Sequence, residues 1–408
     1  MREKLRNSRL LKGALLLTWV GALGWLTLRL ADQAVLPLYD FVAYWSAGRL
    51  QLAGGNPYSA DQLYALQKAV GSTYDIPLMF WNPPWTLLFV MPFALLNFSA
   101  SRVVWLWFSL ALVLVCTDAA WRLYEGSPRR RWLARVVSFT FFPTLVSLYL
   151  GQMGPLILAG VVGFLYFEKH RQWWLAGAAT LLIAIKPHLL YLFWIALFLW
   201  ALDRRRWPVL LGSMSAGLIA TGVPLLFDPA LINQYLTGIA NHPPFYWMTP
   251  TLGTVLRMMF GWDKSWLPFV PTVLGGIWFL FYWRHHRRTW VWAEQMPVLL
   301  MVSLITAAYR WNHDQVVLLP VLVQAAAWIS HSRQRLTASL AIVFYLAICT
   351  LALSNVLPTG DFWRIWMAPA LLLGYLGLRW QISRQVACPP RIYHQRGACD
   401  ATSTDLRV

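Results

Sequence analysis

Charge is what this chain has least of. Only 12% of its 408 residues are charged, about half the share that a soluble domain carries. Acidic groups are the scarcest, with 16 Asp and Glu against 34 Lys and Arg. There are four cysteines and no C-x-x-C pair, so neither a zinc nor a redox motif is present. Cys116 and Cys349 fall in apolar runs, Cys388 and Cys399 near the end, and all four read as packed or idle thiols. The sequence also lacks a P-loop, a helix-opening G-x-G-x-x-G, an H-E-x-x-H and a D-x-D pair, which leaves cytosolic nucleotide and metal chemistries without support. Together these absences exclude a soluble globular enzyme, a disordered chain and a fibrous protein.

What fills the chain instead is apolar. Hydrophobic residues make up 58% and aromatic residues 15%, including 26 tryptophans, and the mean hydropathy is +0.50. Thirteen apolar runs can be marked between Leu11 and Leu378. Several are shorter than the roughly 20 residues of a spanning helix. Pro and Gly interrupt them, which a membrane tolerates only where the backbone faces protein or a polar cavity. This pattern predicts an all-α polytopic integral membrane protein of about 12 transmembrane helices. We expect one membrane domain over residues 1–380 and a tail over 381–408. The first run, 11–28, follows a basic segment and ends in no small-residue cleavage site, so it reads as an uncleaved span.

A net charge of +18 ordinarily points to nucleic acid. Here the placement of the charges argues otherwise. Of the 34 basic residues, 25 fall before the first run or in connectors after alternate later runs, among them Arg129-Arg130-Arg131 and Arg204-Arg205-Arg206. The positive-inside rule makes that side the cytoplasm, with both termini on it, in a bacterial inner membrane. One conflict remains open at this level. Three runs separate Lys12 from Arg129, and an even number is needed to return to one side. Either Pro83–Leu96 does not cross or the Arg129–Arg131 connector breaks the rule.

The opposite connectors are long and carry the candidate chemistry. The first external loop, 31–82, opens with Asp40 ahead of a helical pattern in which Phe41, Tyr44, Trp45 and Leu52 predict an interfacial amphipathic helix. Asp40 reads either as its N-cap or as an external carboxylate with a function. Gly54-Gly55-Asn56-Pro57 predicts a turn, Asp61–Val70 a second helix, and Trp81-Asn82-Pro83-Pro84 a bent re-entry. Gly151-Gln152 and Lys186-Pro187 break apolar sequence. Gln152 either ties off backbone groups or binds ligand, and Lys186 either snorkels to the interface or faces a phosphate. The 228–266 loop contributes Arg257. The connector around Arg310, Asn312 and His313 has more polar groups than a tight turn needs. Asp118 and Glu294, in or beside apolar runs, read as partnered structural residues.

An external acid with scattered basic and amide groups suits transfer from a lipid-borne phosphate to an extracytoplasmic acceptor. The carboxylate would take the acceptor's proton and the basic groups would stabilise the departing phosphate. A transporter or flippase of a lipid-linked intermediate is the alternative, since it too uses broken helices and intramembrane lysine. The stretch Asp40-Phe41…Tyr44-Trp45-x-Ala47-Gly48-Arg49…Gly55-Asn56-Pro57-Tyr58 resembles the first external loop of polyprenol-phosphate-mannose-dependent mannosyltransferases of glycosyltransferase family 87, in the GT-C superfamily. Trp81-Asn82-Pro83-Pro84, Gly151-Gln152, Lys186-Pro187 and Trp311-x-His313 resemble later family features in the same order. Ala308-Tyr309-Arg310 stands where the family often has a Ser-Pro pair. The resemblance implies a GT-C-type bundle, a polyprenyl-phosphate sugar donor, inverting transfer of a hexose (mannose first) to a glycan or lipid, and Asp40 as base. Together with the residue readings above, it leaves Tyr44, Arg49, Asn82, Gln152, Lys186, Arg310 and His313 as candidate substrate contacts, and Arg257 as either a contact to an anionic ligand or one to lipid headgroups. Membrane lipid, donor and acceptor are the expected partners. No nucleic acid and no resident cofactor is implied, and the need for a divalent metal stays open.

Overall fold

The computed structural model describes residues 40–385, except 245, 246, 333 and 355–359, together with scattered positions between 18 and 32. The N-terminal basic segment, most of the first predicted span, and the tail from 386 onward lie outside the described residues.

All regular structure among the described residues is helical. In chain order the helices are α1 Phe41–Leu52, α2 Ala60–Ala69, α3 Leu87–Ala94, α4 Phe98–Leu123, α5 Arg131–Thr140, α6 Phe142–Leu150, α7 Gly154–Lys169, α8 Trp173–Ile183 and α9 Tyr191–Asp203. They continue with α10 Trp207–Leu225, α11 Leu231–Asn241, α12 Leu252–Phe260, α13 Phe269–His286, α14 Trp292–Thr306, α15 Leu319–His331, α16 Arg335–Leu353 and α17 Met367–Gln385. Three of them, α4, α10 and α16, are long and apolar enough to cross a membrane. The segment Pro128–Thr140 with α6 makes a fourth candidate, bent by 58°. Several of the remaining apolar runs form shorter helices, such as α8 and α14, because Pro, Gly and polar breaks cut the helical hydrogen-bond ladder. Leu218 and Ile219 of α10, Val343 of α16 and Phe281 of α13 are each more than 60% exposed. Side chains of that kind in that number belong in lipid rather than water.

α3 bears on one side of the topological conflict. Eight residues rise about 12 Å, against a hydrocarbon core of about 30 Å. The helix formed by the Pro83–Leu96 run is therefore too short to cross by itself.

The chain divides into two compact units. The first comprises Met1–Ala111, Val146–Met153 and Gly217–Pro244, and α1 forms its centre. This corrects the expectation of an interfacial helix: residues 41–48 and Gln51 are all buried. The physical cause lies in the helix's composition, because apart from Arg49 and Gln51 every face is apolar or small, and such a helix is stable only inside protein. Gly48 lets α1 approach α3, since a Cβ there would lie 3.0 Å from the Ala94 side chain and 3.2 Å from the Val90 carbonyl. Trp45 Nε1 donates to Leu96 O at 3.0 Å and Arg49 Nη1 to Ala94 O at 3.3 Å. Both satisfy carbonyls that the end of α3 leaves open. α2 begins one residue before the expected position, with Ser59 as its N-cap.

The second unit comprises Leu112–Leu145, Gly154–Ala216 and Phe245–Val408. Its core is an edge-to-face cluster of Phe164, Phe193, Trp200 and Trp292 from α7, α9 and α14, a packing that aromatic quadrupoles favour. Asp118 of α4 is a partnered residue, as expected from sequence. Arg135 donates to its two oxygens at 3.0 and 2.7 Å.

Candidate active site

The first unit builds its polar cluster from a helix end. α6 terminates at Gly151, whose φ of +69° is a left-handed conformation that glycine adopts without a Cβ penalty. The next amide, Gln152 N, donates back to Ser147 O at 2.8 Å, closing a Schellman-type cap. Trp105 Nε1 donates to Gly151 O at 2.9 Å and pins the turn. The cap turns Gln152 toward α1. There Tyr44 Oη donates to Gln152 Oε1 at 2.8 Å, and Gln152 Nε2 donates to Asp40 Oδ2 at 2.5 Å. Because an amide has distinct donor and acceptor ends, the tyrosine bond fixes which end faces the carboxylate.

Asp40 thus occupies the N-cap position of α1 without capping it. Its carboxylate faces Gln152, and Oδ1 makes no hydrogen bond among the described residues. Asn82 of the same unit is 8% exposed, and its backbone carbonyl accepts from Tyr58 Oη at 3.1 Å. Tyr58 also packs on Tyr235 of α11, with ring centroids 5.2 Å apart. Arg49 is engaged at the end of α3 as described.

The second unit holds a separate charged cluster around the Asn312–Leu318 turn. Lys186 Nζ donates to Asp314 Oδ1 at 2.7 Å, and His313 Nε2 lies 3.6 Å from the same oxygen. Trp311 N donates to Asp314 Oδ2 at 2.8 Å. Burial pushes the Asp314 carboxyl up, but Lys186, His313 and the Trp311 amide together outweigh it and hold the group at about 2. A second carboxylate supports the turn from behind. Asp361 Oδ1 accepts from Asn312 Nδ2 at 2.8 Å, Oδ2 from Asn312 N at 3.1 Å, and Arg364 Nη1 reaches Oδ1 at 3.3 Å.

Arg310 sits in this cluster with 1% exposure. Burial lowers its guanidinium to about 10, partly offset by Asp314 and Asp361, so it carries its charge at neutral pH. Its Nε and Nη1 have no hydrogen-bond acceptor among the described residues. A buried charged donor without an acceptor is costly, and the chemistry it calls for is an anion. An aromatic wall adjoins the cluster. The Trp311 ring stacks parallel to His313 within 14°, meets Trp247 edge-on, and its Nε1 donates to Tyr309 Oη at 2.7 Å.

The sequence candidates therefore separate into groups. Asp40, Tyr44 and Gln152 form one hydrogen-bonded chain, and Lys186, His313 and Arg310 gather in the other cluster. Arg257 lies on α12 against its own turn: Nε donates to Trp262 O at 3.1 Å and the guanidinium covers the Trp262 ring at 4.7 Å. Sequence pattern does not single out Asp314 and Asp361, the two carboxylates that organise the second cluster. A signal for Asp314 is present, since it is the one acid in a connector with Arg310 and His313. Among the described residues no three His, Cys, Asp or Glu side chains converge as a metal site.

The model of glycosyltransferase family 87 aligns with residues 80–354, two-thirds of the chain. Asn82, Gln152, Lys186, Arg257, Arg310 and His313 fall inside that stretch, whereas Asp40, Tyr44 and Arg49 precede it. Searches of curated proteins and of solved structures return no match.

Proposed function

The chain belongs to glycosyltransferase family 87, and on that footing we propose that it moves a hexose, with mannose the first choice, from a polyprenyl-phosphate donor to an extracytoplasmic glycan or lipid. The transfer is inverting. An acceptor hydroxyl attacks the anomeric carbon from the face opposite the phosphate, the carbon–oxygen bond to phosphate breaks, and polyprenyl phosphate departs. Asp40 takes the hydroxyl proton as general base. Lys186 and Arg310 stabilise charge on the leaving phosphate, with Arg257 a further phosphate contact. Gln152, Asn82 and His313 contact sugar or acceptor, with Tyr44 and Arg49 further substrate contacts. The fold is a GT-C-type bundle whose full set of spans includes the shorter, broken helices, in a bacterial inner membrane with cytoplasmic termini and an external site.

The observation that supports this reading best is the state of Asp40. One carboxylate oxygen is held by an oriented amide, while the other makes no hydrogen bond among the described residues, as a base awaiting a hydroxyl requires. The test is sugar transfer in proteoliposomes from a radiolabelled polyprenyl-phosphate mannose. Asp40→Asn is expected to cut transfer at least about 100-fold, the usual size of general-base catalysis, without changing the yield of folded protein. Full transfer by Asp40→Asn removes Asp40 from the mechanism. Wild-type protein that transfers nothing from any polyprenyl-phosphate sugar, yet moves such a lipid across the bilayer, favours the flippase instead.

A further inference from the structure

The second unit carries an apolar groove that neither polar cluster uses. α5, α15, α16 and α17 surround a cavity of about 500 Å³, with Leu133, Val137, Ala325, Leu340, Ala341 and Leu378 among its walls. Four of the polar side chains along it, Thr140, Thr337, Tyr345 and Tyr375, are engaged within the protein. Thr140 Oγ1 lies 2.8 Å from Tyr345 Oη, which donates to Val137 O at 2.9 Å, and Tyr375 Oη donates to Gln324 Oε1 at 2.7 Å. A space of this size without convergent polar groups does not hold water well and accepts hydrocarbon.

One end of the groove is cationic. α5 begins at Arg131 directly after Arg129 and Arg130, α16 begins at Arg335, and α17 carries Arg379 next to the wall residues Leu378 and Gln381. Leu133 and Thr337, near the starts of α5 and α16, line the same end. Asp118 is taken up by Arg135 and Arg131. Arg129, Arg335 and Arg379 have no acidic partner within 4 Å among the described residues. Leu346, Cys349 and Leu371, farther along the same helices, are also wall residues and carry no charge.

We propose that the groove is a binding site for an anionic phospholipid, with an acyl chain along the cavity and the headgroup phosphate at the arginine-bearing end. An apolar groove with arginines at the helix ends beside it matches both parts of that ligand: apolar area holds the chain, and guanidinium groups pair with phosphate. A zwitterionic lipid supplies the same chain but a headgroup of no net charge. A lipid that merely coats the outer surface has no reason to discriminate between the two.

The test uses the full-length protein in neutral detergent, incubated with equal amounts of phosphatidylglycerol and phosphatidylcholine. It is then passed over a sizing column, and the retained lipid is quantified by mass spectrometry. Wild type is expected to retain phosphatidylglycerol preferentially. Arg129→Gln with Arg335→Gln and Arg379→Gln should reduce that preference, by up to about fivefold for each arginine that contacts the headgroup. Ala325→Trp and Ala341→Trp fill the groove from two different helices, and each should lower the retained phosphatidylglycerol by about one molecule per chain. Two such variants are used so that one monodisperse protein suffices for the reading. Equal retention of the two lipids by wild type, an undiminished preference in the arginine variant, or unchanged retention in a monodisperse Trp variant overturns the proposal.

Discussion

Gln152 and Asp40 stand 112 residues apart in the chain and are joined by a hydrogen bond from the amide Nε2 to the carboxylate Oδ2. The amide is itself oriented by Tyr44, whose hydroxyl donates to its oxygen. The pair depends on three local decisions: the buried α1, the glycine cap of α6, and the indole of Trp105 that holds the cap.

The orientation of that amide is testable by conservative change. Tyr44→Phe removes one hydroxyl and leaves Gln152 free to rotate. Transfer should fall about tenfold in kcat with little change in KM, because positioning rather than binding is lost. Gln152→Glu puts a second carboxylate beside Asp40, and two such groups tend to share a proton. The acid limb of the rate profile should move to higher pH. An unmoved limb with wild-type kcat would show that the two residues are not coupled in the reaction.

The cap gives a backbone prediction. At φ +69°, Gly151→Ala costs about 1 kcal/mol through Cβ strain and displaces the following residue. Activity should drop to the level of Gln152→Ala, while the melting temperature shifts by only a few degrees. A Gly151→Ala protein with normal turnover would separate the cap from the site.

For the second cluster the expectation concerns stability. Lys186 and Asp314 are both largely buried, with 13% and 1% side-chain exposure. Removing only the cation, as Lys186→Met, leaves a buried carboxylate alone and should destabilise the protein by about 3 kcal/mol or more. Adding Asp314→Leu should recover most of the loss. Equal destabilisation by the single and double variants, measured by unfolding in detergent, would contradict the pairing.

The same carboxylate predicts an acid response. Its folded value of about 2 lies below the ordinary 3.8, so the native state favours the ionised form. That contribution, about 2 kcal/mol, is fully present above pH 4 and is lost as pH falls toward 2. Asp314→Asn lacks it at every pH. Its stability should therefore decline less steeply than wild type between pH 4 and 2, and parallel curves would argue against the shift.

Arg310 bears on ligand binding. Two unsatisfied guanidinium nitrogens should pair with phosphate, so Arg310→Gln is expected to weaken polyprenyl-phosphate binding about 10- to 100-fold, the value of a charge-assisted bond. Arg310→Lys should restore part of this, because it keeps the charge but not the fork. Unchanged affinity in Arg310→Gln, measured by titration of the purified protein, would assign the phosphate elsewhere.

Much of the fold is legible in the residues themselves. Hydropathy alone marks a helical membrane chain, and Pro, Gly and polar residues mark where helices stop. Those breaks are where Gln152, Lys186 and Arg310 stand. The burial of α1 is not read from the sequence, because the period of its aromatic residues points to an interface, although only one of its twelve residues is charged. Asp361 is not legible, because nothing in a connector from 354 to 364 announces that it will hold Asn312.

The amino-acid sequence by itself determined the class of solvent, the helical state of the chain and the positions at which helices break, since each depends on residues within a turn or two of one another. Tertiary structure alone decided which carboxylate met which partner: Asp40 with Gln152, Asp314 with Lys186, Asp361 with Asn312. A hydrogen bond forms only within about 3 Å. Bringing groups 49 to 128 residues apart within that distance is the work of packed helices, which no local pattern encodes.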